Sequence, residues 1–205
     1  MEKIKKWFEN FWYYHKWHFI CWFLVALAFI LCVAQCASVE KYDYNIIMFT
    51  YTEHLDEQKE KMADYIAQFG EDIDGDGKVT VGFTDCSYNK ASTPLKLAEA
   101  KISRLQSTLI AQPEKILFLT DENSFEYLNG LFDSVLFADI GLSGNDGKSV
   151  IFGEEFYNST IILDDVTLPR GFRLSRRGET ETIKYDATLL EQADNLLKKL
   201  DQNEK

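Results

Sequence analysis

Apolar and polar positions along this chain follow three successive rhythms. From Phe19 to Ala34 the run FICWFLVALAFILCVA contains no charge, no Gly and no Pro, and Gln35, Cys36 and Ala37 extend it. A bilayer core is crossed by about 20 apolar residues in a helix, so residues 19–37 predict a transmembrane helix. A buried core helix fits less well, because the run has no polar face. Residues 38–43 form a short polar linker, and a folded domain follows over 44–205.

The second rhythm alternates strand and helix signals. Asn45 to Tyr51 is a continuous apolar run, as expected of a strand buried on both faces. Leu55, Met62, Ile66 and Phe69 then recur at helical spacing, with Gly70 placed to end the helix. Val79 to Asp85 reads as a second strand. Thr93-Pro94 opens a second helix whose stripe is Leu95, Ala98, Ile102, Leu105 and Leu109, and Lys115 to Thr120 is a third strand before a short helix from Asn123 to Leu131. Beyond it the rhythm changes to short strand segments, Val135 to Ile140, Ser149 to Phe152, Thr160 to Leu163, Phe172 to Ser175 and Thr182 to Tyr185. Turns are signalled at Asn145-Asp146-Gly147 and Arg177-Gly178, and a last helix spans Asp186 to Leu200. The pattern predicts an α/β fold, an N-terminal transmembrane helix followed by one domain with a mostly parallel sheet flanked by helices and a β-rich C-terminal half.

Charge changes this picture in two ways. Lys3, Lys5, Lys6 and Lys16 precede the apolar run, and all four tryptophans (Trp7, Trp12, Trp17 and Trp22) lie in or before it. A cytoplasmic, interfacial segment 1–18 with an aromatic belt follows, so the expected location is the cell membrane, single-pass, with the N-terminus cytoplasmic and the domain extracytoplasmic. An uncleaved signal-anchor is favoured over a cleaved signal, because Ala34-Gln35-Cys36 is a marginal cleavage site, and over a lipoprotein signal, because Gln35 precedes Cys36 where a small residue belongs. Removing Glu2, Glu9 and those four lysines from totals of 33 acidic and 22 basic residues leaves a formal charge of −13. Such a surface repels phosphate backbones and excludes nucleic acid as a partner. Cations suit it better. Cys86 alone lies in the domain, so no disulfide forms within it.

One motif carries chemistry. Asp72-Ile73-Asp74-Gly75-Asp76-Gly77 is D-x-D-x-D-G, the first half of an EF-hand loop, in which alternate carboxylates turn inward on one centre. Asp72, Asp74 and Asp76 would offer side-chain oxygens, Lys78 its backbone carbonyl and Thr80 a water-mediated contact, so Ca2+ is the expected cofactor. The twelfth position, normally a bidentate Glu, is Phe83, and a strand follows where an EF-hand has its second helix. The loop alone therefore supplies an incomplete ligand set. A helix, this loop and a strand resemble the calcium loop of bacterial extracytoplasmic solute-binding proteins of the galactose-binding type, in which a distant Glu completes the shell. The resemblance covers about a dozen residues and the α/β rhythm; Glu71 and Asp85 are the nearby candidates for the missing ligand.

A second candidate site lies beyond the carboxyl ends of the predicted parallel strands, where open α/β sheets bind ligands. Thr50, Thr52, Asp85, Thr120, Asp121 and Asn123 gather there by sequence position and would line a pocket for a hydroxylated or cationic solute, unless they only cap the helices that follow. Arg170, Arg173, Arg176 and Arg177 read as a solvated hairpin, and Asn158-Ser159-Thr160 is a glycosylation sequon. His54 is the one histidine outside the anchor region, and no G-x-S-x-G, C-x-x-C or P-loop motif occurs, so no enzyme is expected. The sequence supports a membrane-anchored, solute-binding-like module with a structural calcium site. The alternative is a structural or assembly protein that docks on another membrane protein and takes no small ligand.

Overall fold

The computed structural model describes residues 12–13, 17–18, 20–32, 42–131, 136–143, 147–153, 171–180 and 183–204. The chain divides into two compact units, Met1–Lys41 and Tyr42–Lys205. In the first, residues 20–32 are helical and present exposed apolar side chains, among them Phe23, Leu24, Phe29 and Ile30. Among the described residues no helix is long and apolar enough to cross a membrane. This corrects the transmembrane helix over 19–37, and with it the signal-anchor and the single-pass cell-membrane location.

The second unit is built on a five-stranded sheet. In chain order its elements are β1 (Tyr44–Phe49), α1 (Asp56–Ala67), β2 (Val81–Asp85), α2 (Leu95–Ala111), β3 (Leu117–Thr120), α3 (Glu122–Leu131), β4 (Ser149–Phe152), β5 (Phe172–Arg176) and α4 (Ala187–Asn203). The strand order is β2-β1-β3-β5-β4. β1 pairs in parallel with β2 and β3, as the intervening helices allow, whereas β5 is antiparallel to both β3 and β4. The sheet is therefore mixed and not mostly parallel. The strand-helix alternation behind the parallel expectation ends at α3, and the two late strands pair with each other and close on β3 in the opposite sense.

Side chains alternate across the sheet and fill two cores. Ile46 and Met48 of β1, Leu117 and Leu119 of β3 and Leu174 of β5 pack with Met62 and Ile66 of α1 and with Leu196, Leu197 and Leu200 of α4. On the opposite face Ile47, Phe49 and Phe118 meet Leu105 and Leu109 of α2 and Phe125 and Leu128 of α3. Helices thus cover both faces, which is why β1 is apolar from Ile46 to Phe49 and β3 from Leu117 to Leu119. Among the other expected segments, the Phe137–Arg177 pairing is an isolated bridge. Thr160 to Leu163, the sequon at Asn158 and Arg170 lie outside the described residues, as do Val135, Asn145, Asp146 and Thr182.

The arginines differ most from expectation. Arg173, Arg176 and Arg177 are each less than a tenth exposed. Arg173 donates to Ser149 Oγ at 3.0 Å, approaches Glu122 at 3.4 Å and lies over the Phe125 ring. Arg176 Nε sits 2.6 Å from Asp194 Oδ1 on α4, in a contact poorly aligned for a hydrogen bond. Arg177 donates to the carbonyl of Leu109 near the end of α2 at 3.1 Å, where a cation offsets the helix dipole. Their stems pack and their heads are paired, so this is internal structure and not a solvated hairpin.

Asp121 plays a comparable role between β3 and α3. Its Oδ2 accepts from Tyr51 N at 2.6 Å and its Oδ1 from Ser124 N at 2.7 Å, while Ser124 Oγ accepts from Asp121 N. One carboxylate thus caps α3 and holds the chain leaving β1. Asp121→Ala should lower unfolding free energy by about 2–4 kcal/mol, combining a lost cap with a buried N–H left unpaired. Asn123→Ala, on the exposed side of α3, should stay within about 0.5 kcal/mol. Denaturant titrations of both variants check this contrast.

Candidate metal centre

Gly70 to Thr80 carries the chain from α1 to β2, and its shape comes from carboxylates that accept hydrogen bonds from their own turn. Asp72 Oδ1 accepts from Gly75 N at 2.7 Å and Oδ2 from Gly77 N at 2.8 Å. Asp74 accepts from Asp76 N at 3.1 Å, and Asp76 from Lys78 N at 2.8 Å. Gly75 and Gly77 take φ values of 77° and 87°, which L side chains resist, so the tight coil needs glycine at both places.

The loop is fastened from outside by Asp43. Its Oδ1 accepts from Ile73 N at 2.7 Å and Asp74 N at 3.2 Å, and its Oδ2 from Thr80 N at 2.7 Å and Thr80 Oγ1 at 3.1 Å. Desolvation pushes the Asp43 carboxyl up, but the amides of Thr80, Ile73 and Asp74 outweigh it and hold the group below its ordinary value. Asp43, Asp72 and Asp74 together bring ligand oxygens within 4.8 Å of one another, a group able to hold a metal ion. An ionised carboxylate has about four lone-pair sites. Those of Asp43 are all engaged, whereas Asp72 accepts two hydrogen bonds and Asp74 one, which leaves both with acceptor capacity. The long bond from Asp74 N is the one an incoming cation would displace most easily.

Of the residues expected to bind metal, Asp72 and Asp74 belong to this triad. Asp76 lies outside the triad, Lys78 gives its amide to Asp76, and Thr80 bonds Asp43. The nearby acidic candidates are engaged elsewhere: Glu71 with Lys199 at 2.7 Å and Asp85 with Lys59 at 2.7 Å. By sequence position Asp43 is the last residue of the linker 38–43. The signal that locates it is register, because Tyr44 of β1 faces Val81 of β2, which sets Asp43 beside Thr80.

The polar residues at the carboxyl ends of β1, β2 and β3 are used internally. Thr50 is buried and its hydroxyl donates to the Thr52 carbonyl at 2.7 Å; Thr120 is buried and donates to the Arg173 carbonyl at 3.3 Å. Asp85 accepts from Ser87 N at 2.8 Å besides its ion pair, and Asn123 is exposed. Thr52 Oγ1 lies 3.0 Å from His54 Nε2, and the His54 ring stacks edge-on against Phe172. Cys86 is buried, and burial raises its thiol. A cavity of about 220 Å3 opens instead at the amino ends of β1 and β3, beside the acidic loop, with Asp43 and Ile73 in its wall and Ala193 of α4 across from them.

No protein-family model, curated protein or solved structure matches this chain.

His54 gives the fold a pH dependence. Burial brings its imidazole down to about 4, with Asp85 opposing and Lys59 reinforcing the shift. The unfolded chain then binds a proton near pH 6.5 that the folded chain refuses, so stability is complete above that pH and falls as pH drops toward 4. The slope contributed is about 1.4 kcal/mol per pH unit. His54→Gln should flatten the dependence between pH 6.5 and 4; below pH 4 both proteins should weaken as Asp43 and Asp85, held low when folded, take up protons. Urea unfolding at half-unit pH steps checks it.

Proposed function

We propose that the Tyr42–Lys205 unit is a binding module, not an enzyme, whose acidic loop takes Ca2+ as a structural element. The observation that carries this reading is the convergence of Asp43, from the start of β1, on Asp72 and Asp74 of the loop. Three carboxylates at 4.8 Å repel by about 1 kcal/mol per pair even at the dielectric constant of water, and a cation relieves all pairs at once. The donors of the triad are carboxylate oxygens only. An all-oxygen donor set suits a hard cation taking 6–8 ligands at 2.3–2.6 Å and disfavours metals that prefer sulfur or imidazole. The helix-loop-strand setting that resembles the calcium loop of extracytoplasmic solute-binding proteins supports the same reading.

An assembly role is the second reading. It is favoured by the internal use of Thr50, Thr120 and Asp121, which takes the carboxyl-end crevice away as a solute site. Both readings keep the calcium loop.

Thermal unfolding of the full chain in calcium, magnesium and chelator tests the metal. Calcium at about 100 times its Kd adds about 2.7 kcal/mol, which for a domain of this size raises the midpoint by roughly 5–10 °C. Magnesium should do less, and Asp72→Asn should remove the calcium effect. Equal midpoints in saturating calcium and chelator overturn the proposal.

A further inference from the structure

The cavity beside the acidic loop has a chemistry of its own. Its floor is apolar, formed by Ile116 and Leu117 at the start of β3 and Leu189 and Ala193 on α4. Asn45 and Gln192 add amides; among the described residues that line it the charged ones are Asp43 and Glu114, both acidic, with no Lys, Arg or His. Its volume of about 220 Å3 equals the liquid share of roughly seven waters, which suits a solute of amino-acid size and falls below the usual range for larger ligands.

The two carboxylates differ in what they have left to offer. Asp43 is occupied by four donors from the loop. Glu114 stands exposed in the turn before β3 and makes no ion pair among the described residues. An apolar floor under an uncommitted carboxylate, in a domain of strong negative charge, complements a molecule with the opposite arrangement. The Tyr51, Tyr88 and Tyr127 cluster is another place with cation-binding faces, but the chain's own Lys90 already lies 4.7 Å from the Tyr51 ring centre.

We propose that this cavity binds an organic cation, an ammonium or guanidinium group on an apolar body of about five to seven carbons. The body lies on Ile116, Leu117, Leu189 and Ala193, and the charged head meets Glu114 at the rim. A free amine and the Lys or Arg side chain of a partner present the same chemistry. The inference goes beyond the calcium reading and does not depend on it.

Titration calorimetry of the full chain in chelator, with n-hexylammonium as probe, tests it apart from calcium. The expected result is saturable binding, with n-hexanol at least tenfold weaker and hexanoate giving no heat. Glu114→Gln, at an exposed position, should weaken hexylammonium at least fivefold, and Ala193→Met should fill the floor and abolish binding. A peptide amide of N-acetyl-lysine that binds more tightly than hexylammonium assigns the site to a partner side chain; the reverse order assigns it to a free amine. Absence of saturable binding to either cation, equal affinity for hexanol, or an unchanged Glu114→Gln affinity overturns the proposal.

Discussion

Four donors converge on the Asp43 carboxylate, and through them one side chain joins three parts of the domain. Asp43 precedes β1, Ile73 and Asp74 lie in the acidic loop, and Thr80 precedes β2. The loop is thereby closed against the sheet edge where β1 and β2 begin in register. Tyr44 extends the clasp, its hydroxyl accepting from Glu71 N at 3.0 Å. The wall of the neighbouring cavity uses the same residues, since Asp43 and Ile73 line it. Metal loop and cavity are therefore neighbours through shared residues.

At the opposite end of the strands the same kind of group does a different job. Asp121 and Asp85 are also acidic residues at strand ends, yet each is satisfied by an N–H donor or a cation of the domain itself. What separates the two ends is how many carboxylates are gathered at one place. Asp121 is alone among amides and needs nothing further. The loop sets Asp43, Asp72 and Asp74 together with no basic side chain among the described residues paired to them, and their mutual repulsion is what a divalent cation answers.

Local periodicity made much of the domain legible. The apolar runs of β1 and β3 and the helical stripes of α1, α2 and α4 were visible because burial on both faces leaves a continuous signal. Strand direction was not, since whether β5 runs with or against β3 is decided by tertiary pairing that no window of sequence contains. The arginines misled for a related reason: Arg173 over Phe125 and Arg177 at the end of α2 are stabilised by partners far away in the chain. Within the candidate site, Asp72 and Asp74 announced themselves by spacing, while Asp43 depends on a β1-β2 register known only once the sheet is formed. The apolar run from Phe19 met the composition expected of a membrane span, but among the described residues no helix is long and apolar enough to be one.

The central claim is that Asp43 completes a calcium site begun by the D-x-D-x-D-G loop. Crystals grown in millimolar calcium and compared with crystals grown in chelator test it most directly. The account predicts one cation at about 2.3–2.6 Å from an oxygen of each of Asp43, Asp72 and Asp74, with the Asp74 N to Asp43 hydrogen bond opened to admit it. A loop that keeps all its internal hydrogen bonds around an empty centre in calcium, or a cation bound there without Asp43, would contradict it.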